Sequence, residues 1–142
     1  MDSGILLAVN DSPAGFGAAA VAIAHAHRLG CTLHVVTVVD TGSAASVEFA
    51  AGQEKSATAV LRHVAALGAK ARVEVITHLR HGAVATEILG EARDLGCEFI
   101  VMALVDRPGH ATPYIGSHTL AVLEFAQTPV MVVPAFHAST PA

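Results

Sequence analysis

The 142-residue sequence is short of charged residues, of cysteine and of long apolar runs. Charged residues make up 14% of the chain and hydrophobic residues 53%, which excludes a disordered chain because apolar surface for a core is ample. The length predicts one domain. The apolar run near the start, Ile5 to Val9, is far shorter than the roughly 20 residues of a membrane span, and no basic leader precedes it. We therefore expect a cytoplasmic protein without a membrane partner.

Positive charge is also scarce. The eight lysine and arginine residues are scattered, and the net charge is −4 with neutral histidines. A nucleic-acid surface needs clustered positive charge, so we expect no nucleic-acid partner. Cys31 and Cys97 each follow a glycine and show no metal-ligand spacing, which predicts small buried side chains rather than a disulfide or a metal site.

Histidine, in contrast, is abundant. The nine histidines would move the nominal charge from −4 to +5 if all were protonated. His25 and His27 are two residues apart and cannot share a helix face, and no pair has the His-x-x-x-His spacing of a helical zinc site. We predict no metal site, and a histidine-based pH or metal sensor stays open as an alternative function.

Three segments share one pattern, in which a helix end and a Leu-Gly pair are followed by a β-branched run. Gly30, Gly68 and Gly96 are predicted to take the left-handed position just past a helix, and the residues after them favour strands. The intervals between the three segments differ, which excludes a repeat array of fixed period.

The hydrophobic pattern predicts five strands alternating with four helices. Segments such as "ILLAV" and "FIVMAL" are apolar on both faces, so helices must cover both sides of a parallel sheet. Arg72, Glu74 and His78 share one parity of the third strand, which predicts a sheet edge with a wetter face. The predicted strands are 4–10, 32–39, 72–79, 98–104 and 129–133, and the predicted helices are 13–29, about 46–67, 84–95 and about 117–126. We expect one domain over residues 1–134, with a fraying tail over residues 135–142.

Ligands of open parallel sheets bind beyond the carboxyl ends of the strands. Asp11, Asp40 and Asp106 follow three predicted strands, although each also suits a purely local role at a helix start or an Asx turn. Ser12 and Ser117 lack a Gly-x-Ser-x-Gly context and a recognisable base partner, so we predict no catalytic residue.

Nearly the whole chain resembles the universal stress protein domain. "ILLAVNDSPAG" is similar to its first strand and turn, "LHVVTVVD" to its second strand, "HGAVATEIL" to the turn into its third helix, and residues 98–134 match in register. The resemblance implies a flavodoxin-like, adenine nucleotide alpha hydrolase-like α/β/α fold in three layers, with five parallel strands in the order 3-2-1-4-5. It also implies a cytoplasmic stress-response protein that is not an enzyme, with at most slow ATP hydrolysis.

Family members that bind ATP carry a glycine, two residues, a second glycine, nine residues, and then glycine with serine or threonine. Gly116 and Ser117 match the last pair, whereas Ala103 and Asp106 replace the leading glycines. Asn10 stands where nucleotide binders have an aspartate. The implied ligand-binding set is Asn10, Val38 at the adenine-contacting valine position, Ala103, Asp106, Arg107, Gly109, Gly116 and Ser117.

Among the replacements, the aspartate at position 106 is expected to lower the affinity for ATP most. Bare glycine backbone lets N–H groups face a phosphate, and the start of a helix adds partial positive charge. Two like charges about 4 Å apart repel by roughly 1 to 4 kcal/mol, and a positive φ at a non-glycine residue adds about 1 to 2 kcal/mol. At about 1.4 kcal/mol per decade, ATP affinity falls by about two decades or more. We therefore expect no cofactor, and binding of ATP or AMP with magnesium at Asp106 stays open as the alternative.

The last predicted strand, "PVMVV", lacks the charges that protect a sheet edge. Family members often pair this strand with its twin around a two-fold axis. The resemblance implies a homodimer through Val130, Met131, Val132 and Val133, with other proteins as further partners. A monomer would need the tail, residues 135–142, to fold back over the edge.

Overall fold

The structure is a computed structural model, and it describes residues 4–10, 13–41, 47–104 and 116–134. Strands and helices alternate through these ranges, as the hydrophobic pattern predicts. The elements are β1 Ile5–Ala8, α1 Pro13–Leu29, β2 Leu33–Asp40, α2 Val47–Lys70, β3 Val75–Gly82, α3 Val84–Leu95, β4 Ile100–Ala103, α4 Ser117–Phe125 and β5 Val130–Val133.

The five strands form one parallel sheet in the order β3-β2-β1-β4-β5. This order confirms the topology that the family resemblance implies. The chain winds outward from β1 through β2 to β3 and then crosses back to β4 and β5. The winding direction therefore reverses between β1 and β4, which are hydrogen-bonded neighbours.

Helices cover both faces of the sheet, so the structure has three layers. In β1, Ile5 and Leu7 belong to the core shared with α1 and α2, whereas Leu6 and Ala8 belong to the core shared with α3 and α4. All four side chains are buried. The apolar residues at both parities of this strand follow from burial on both sides. Among the described helices, none is long and apolar enough to cross a membrane.

Two of the three predicted left-handed glycines are confirmed, and the third is wrong. Gly30 and Gly96 have φ of 65° and 62° beyond the ends of α1 and α3. At Gly68, α2 continues to Lys70, and Arg72 takes the left-handed conformation with φ of 61°. A Cβ at Gly68 would overlap the side chain of Val75, so this glycine allows α2 to pack closely on β3.

The third strand is an edge strand, as predicted, but its bounds are shifted. The turn at residues 71–72 delays the strand, which begins at Val75 rather than at residue 72. It then runs to Gly82 because all eight of its residues pair with β2. Arg72 and Glu74 therefore precede the strand, and only His78 of the three predicted polar residues lies within it.

Candidate functional site

The winding direction reverses between β1 and β4. In open parallel sheets, ligands bind in the crevice beyond the carboxyl ends of the strands at this point. Asn10 is exposed two residues beyond β1, and Ala103 is half-buried as the last residue of β4. Val38 is half-buried near the end of β2, and Gly116 and Ser117 begin α4. These five predicted site residues therefore lie at one edge of the sheet.

The exit of β1 is held by contacts from both sides. The Val9 amide donates to the Val36 carbonyl at 3.1 Å, and the Thr37 hydroxyl donates to the Val9 carbonyl at 3.0 Å. Gly15 of α1 lies against Asn10, since a Cβ there would come within 2.7 Å of the Asn10 carbonyl oxygen. The first turn of α1 can approach the strand exit only because position 15 has no side chain.

The start of α4 has the features of an anion-accepting helix terminus. Gly116, the N-cap residue, is buried and extended, with φ −67° and ψ 161°, and no side chain caps the helix. No acidic residue occupies the first turn. Backbone N–H groups and the partial positive charge at such a terminus favour an anion. Ser117 is exposed at this point.

The end of β2 carries a half-buried apolar side chain, Val38. The last residue of β1, Ala8, pairs with Val36, so Val38 lies two residues beyond the part of β2 that pairs with β1, at the same end of the sheet as Asn10. Val38 packs against the core on the α3 side. Asp40, half-buried, pairs with Gly82 at the end of β3. A half-buried valine at this edge suits contact with a flat ring.

The remaining predicted residues belong to two segments of the chain outside the described ranges. Asp106, Arg107 and Gly109, together with Asp11 and Ser12, lie outside the described residues. The structure thus gives the strand exits and the start of α4, while the arrangement of the connecting loop stays a prediction from the sequence.

A second group of polar side chains lies between β2, β3 and α3, and sequence reasoning missed it. His34 of β2 and Glu91 of α3 are buried, with 9% and 7% exposure. His34 Nδ1 is 3.1 Å from His78 Nε2, and His78 Nδ1 is 3.6 Å from Glu91 Oε1. We call His34, His78, Arg80, Glu87 and Glu91 the β3–α3 polar cluster.

Arg80 connects this cluster to the outer surface of α3. Its Nε lies 2.8 Å from Glu87 Oε1, and its Nη1 lies 3.3 Å from Glu91 Oε1 and 3.8 Å from Asp94 Oδ2. The hydrogen bond to Glu87 is the main cause that raises the pKa of Arg80 above its ordinary value. The i, i+4 spacing of Glu87 and Glu91 was a readable sign of an acidic helix face.

The two cysteines occupy small-residue positions near the amino ends of strands. Cys31 is half-buried and Cys97 is buried, and both are reduced thiols. Burial raises the pKa of the Cys97 thiol, which keeps it protonated and weakly nucleophilic at neutral pH. Over the described ranges, no group of three or more His, Cys, Asp or Glu side chains is arranged to hold a metal ion.

Comparison with known proteins agrees with the fold. The profile of the universal stress protein family matches residues 3–134. The universal stress protein UspA from Lactobacillus plantarum is 20% identical and superimposes with a TM-score of 0.81, over 94% of this chain and 99% of that chain. The universal stress protein from Archaeoglobus fulgidus in complex with dAMP is 20% identical, with a TM-score of 0.75 over 92% of this chain and 96% of that chain.

A third similar structure is a universal stress protein in complex with cAMP. It is 17% identical and has a TM-score of 0.73 over 94% of this chain and 97% of that chain. A search of curated protein sequences gives no significant match. Because the family profile spans almost all of the fold described above, the chain belongs to the universal stress protein family.

Proposed function

We propose that this universal stress protein is a cytoplasmic, dimeric interaction module of the stress response that does not bind ATP tightly. The observation that carries the proposal is the exit of β4, where Ala103 is the final strand residue and Asp106 follows three residues later. ATP-binding relatives have glycine at both positions. Turnover in this chain amounts at most to slow ATP hydrolysis.

Of the features that bind phosphate in this family, the chain keeps the start of α4 but has lost the bare glycine backbone of the preceding loop. The uncapped start of α4 can still receive a single anionic group through its backbone N–H groups. A triphosphate also needs backbone donors along the preceding loop, and a carboxylate at position 106 repels its charge by roughly 1 to 4 kcal/mol. Tight ATP binding is therefore disfavoured, while weak binding of a smaller anion is compatible with the site.

Dimerisation is supported by the outer edge of β5. The Ile100 amide donates to the Pro129 carbonyl at 2.8 Å, and the Leu104 amide donates to the Val133 carbonyl at 2.8 Å. Since alternate residues of a parallel strand bond to the same neighbour, Val130 and Val132 direct their backbone groups to the outer edge. A second copy related by a two-fold axis would pair with these groups, and this pairing is the interface we propose.

Exposed apolar side chains of α4 provide a second surface for association. Leu120, Leu123 and Phe125 of α4, the helix that leads into β5, are all exposed. Leu120 and Leu123 are three residues apart and share one face of α4, and adjacent exposed apolar side chains are typical of protein interaction sites. The same surface is available to a different protein partner when it is not occupied by a second copy.

A second candidate function is binding of AMP or ATP with magnesium at Asp106. It is favoured by the two similar structures described as complexes with dAMP and cAMP. Each of these ligands carries a single phosphate group. A single phosphate needs fewer backbone donors from the altered loop than a triphosphate does. A magnesium ion bound by Asp106 would also convert the repulsion between this carboxylate and the phosphate into attraction.

Equilibrium titration with ATP and with AMP, each with and without magnesium, tests the proposal. We expect ATP binding weaker than micromolar under all conditions. The double change Ala103→Gly with Asp106→Gly should improve ATP affinity at least about tenfold, because it restores bare backbone and removes a negative charge. Glu124→Gln is the matched control, since it removes one carboxylate from the exposed far end of α4 and should change nothing.

Micromolar binding of ATP by the unaltered chain would refute the proposal. Magnesium-dependent binding that disappears in Asp106→Asn would establish the second candidate instead. If the double glycine change brings no gain, Ala103 and Asp106 are not the cause of weak ATP binding, which would also contradict the proposal.

A further inference from the structure

We propose that the exposed face of α4 docks, in a second copy of this chain, into a groove on the outer face of α1. The contact joins two different surfaces, so it is separate from the pairing of β5 strands proposed above. It depends neither on nucleotide binding nor on the β5 interface.

Helix α1 lacks the charged outer face that a surface helix normally has. No lysine, arginine, aspartate or glutamate occurs from Pro13 to His27. Ala18 and Ala22 are buried against the sheet. Ala20 and Ala24, on the opposite side of the helix, are exposed. A helix that is apolar on all sides is normally buried on all sides, so the outer face of α1 is suited to a further contact.

A groove lies along this exposed face of α1. It has a volume of about 470 Å³ and is lined by Ala20, Ile23, Ala24, His27, Arg28 and Ala71. The lining residues of α1 recur at intervals of three and four and share one face of the helix, while Ala71 belongs to the turn that follows α2. Most of these side chains are small, so the groove can accept larger apolar side chains from a partner.

Helix α4 presents side chains of the size that this groove can accept. Leu120 and Leu123 are 55% and 38% exposed. Leu120, Leu123 and Glu124 are three and four residues apart and lie on one face of the helix. Glu124 is exposed, and α4 contains no lysine or arginine. The exposed face of α4 is therefore apolar with one negative charge.

The charge at the groove has the opposite sign. Arg28 lines the groove, and Lys70 and Arg72, both exposed, precede and follow Ala71. Arg28 Nη2 is 3.4 Å from His25 Nδ1, a contact with a ring nitrogen that does not neutralise the guanidinium. None of the residues that line the groove is acidic. Apolar character and charge thus match between the two surfaces.

The spacing of the residues also matches. Leu120 and Glu124 are four residues apart, as are Ala24 and Arg28. If the two helices run parallel and Leu120 lies over Ala24, Glu124 therefore comes to Arg28. This correspondence favours a second copy of the chain as the occupant of the groove.

Such a contact is heterologous, because α4 of one copy occupies the α1 groove of the next. Heterologous contacts produce rings or open chains rather than closed pairs. Together with pairing at β5, the contact would join dimers into larger assemblies. A single helix in a groove buries little surface compared with a stable dimer, so we expect weak association that depends on concentration.

Sedimentation equilibrium of charge-reversal variants tests the contact, both in the otherwise unaltered chain and together with Val132→Pro, which removes the contribution of β5. We expect Arg28→Glu and Glu124→Arg each to weaken the association at least about fivefold, because like charges then meet. An equimolar mixture of the two variants should recover it to within about twofold, because opposite charges face each other again. A chain with both changes should do the same.

Lys55→Glu is the matched control. Lys55 is exposed in the first half of α2, whereas the groove adjoins the end of that helix, so this reversal should change the association less than about twofold. An equal effect of Lys55→Glu and Arg28→Glu would overturn the proposal, because net charge rather than the groove would then control association. Failure of the mixture to recover the association would also overturn it.

A short bismaleimide cross-linker distinguishes this contact from symmetric ones. Ala24→Cys and Phe125→Cys, both at exposed positions, are mixed as chains of different mass. We expect links between the two variants above the background from Cys31 and Cys97 in the unaltered chain. Links mainly within one variant would show a symmetric contact of α1 or of α4 and overturn the proposal. Absence of links above background would assign the groove to a different partner and also overturn it.

Discussion

The two edge strands of the sheet differ in length, polarity and the way they are attached. β3 has eight residues, carries His78, Arg80 and His81, and pairs along its whole length with β2. β5 has four residues, carries no charge, and pairs with the equally short β4. Charged side chains protect an edge strand from pairing with another chain, whereas a short apolar edge invites a partner. The sheet thus has one edge strand, β3, that is protected by charged side chains and one edge strand, β5, that lacks this protection.

The polar side chains of β3 act on both faces of the strand. On the α3 side, Arg80 bonds to Glu87 and Glu91. His81, on the opposite parity, lies 3.0 Å from Glu54 of α2. Each helix that flanks β3 therefore holds the strand through a side-chain contact to a carboxylate. The Arg80 contacts are partly buried, whereas the His81–Glu54 contact is exposed.

The largest effect should come from removing the buried carboxylate of the β3–α3 polar cluster, Glu91. Glu91→Ala removes the carboxylate that accepts a hydrogen bond from Arg80 and lies 3.6 Å from His78, and the loss of this charge-assisted bond should cost about 2 kcal/mol. Urea denaturation measures the loss. Asp94→Ala, which removes an exposed carboxylate of the same helix, should cost less than about 0.5 kcal/mol. Equal losses in the two variants would show that burial of Glu91 adds nothing to the attachment of β3.

A smaller effect is expected at the opposite edge. Val132→Pro removes an outward backbone N–H from β5 and should weaken the proposed dimer at least about tenfold, or about 1.4 kcal/mol. Val132→Ala keeps that N–H and serves as the control, with a change of less than about threefold. Sedimentation equilibrium measures both. If only Val132→Ala weakened the dimer, the interface would depend on side chains rather than on the backbone of the strand edge. If the unaltered chain were a monomer, the proposed dimer would be wrong.

The smallest effect is expected for the exposed contact of β3. Glu54→Gln removes the carboxylate that contacts His81. Because the side chains of Glu54 and His81 are both about half exposed, the loss of folding free energy should stay below about 0.5 kcal/mol. Urea denaturation at low and high salt measures it, and salt should reduce the difference further. A loss above about 1 kcal/mol would mean that both faces of β3 depend on charge to the same degree.

Long periodic segments were predictable from the sequence because local chemistry decides them. The predicted helices at 13–29 and 84–95 agree with the bounds of α1 and α3, and Gly30 and Gly96 end them in the left-handed conformation. The end of α2 was not predictable, since Gly68 serves a close contact with Val75 rather than a helix stop. In the site, the strand exits were predictable from topology, whereas the loop residues depend on geometry outside the described ranges.

By itself, the sequence determined the alternation of elements, the parallel sheet and its coverage on both faces, because these follow from local periodicity and from strands apolar at both parities. Only the tertiary structure decided where β3 begins and which polar side chains meet. His34 and His78 are separated by 44 residues, and Glu91 comes from a third element. No local pattern relates such positions, because their contact depends on the register of β3 against β2 and on the packing of α3 over both strands.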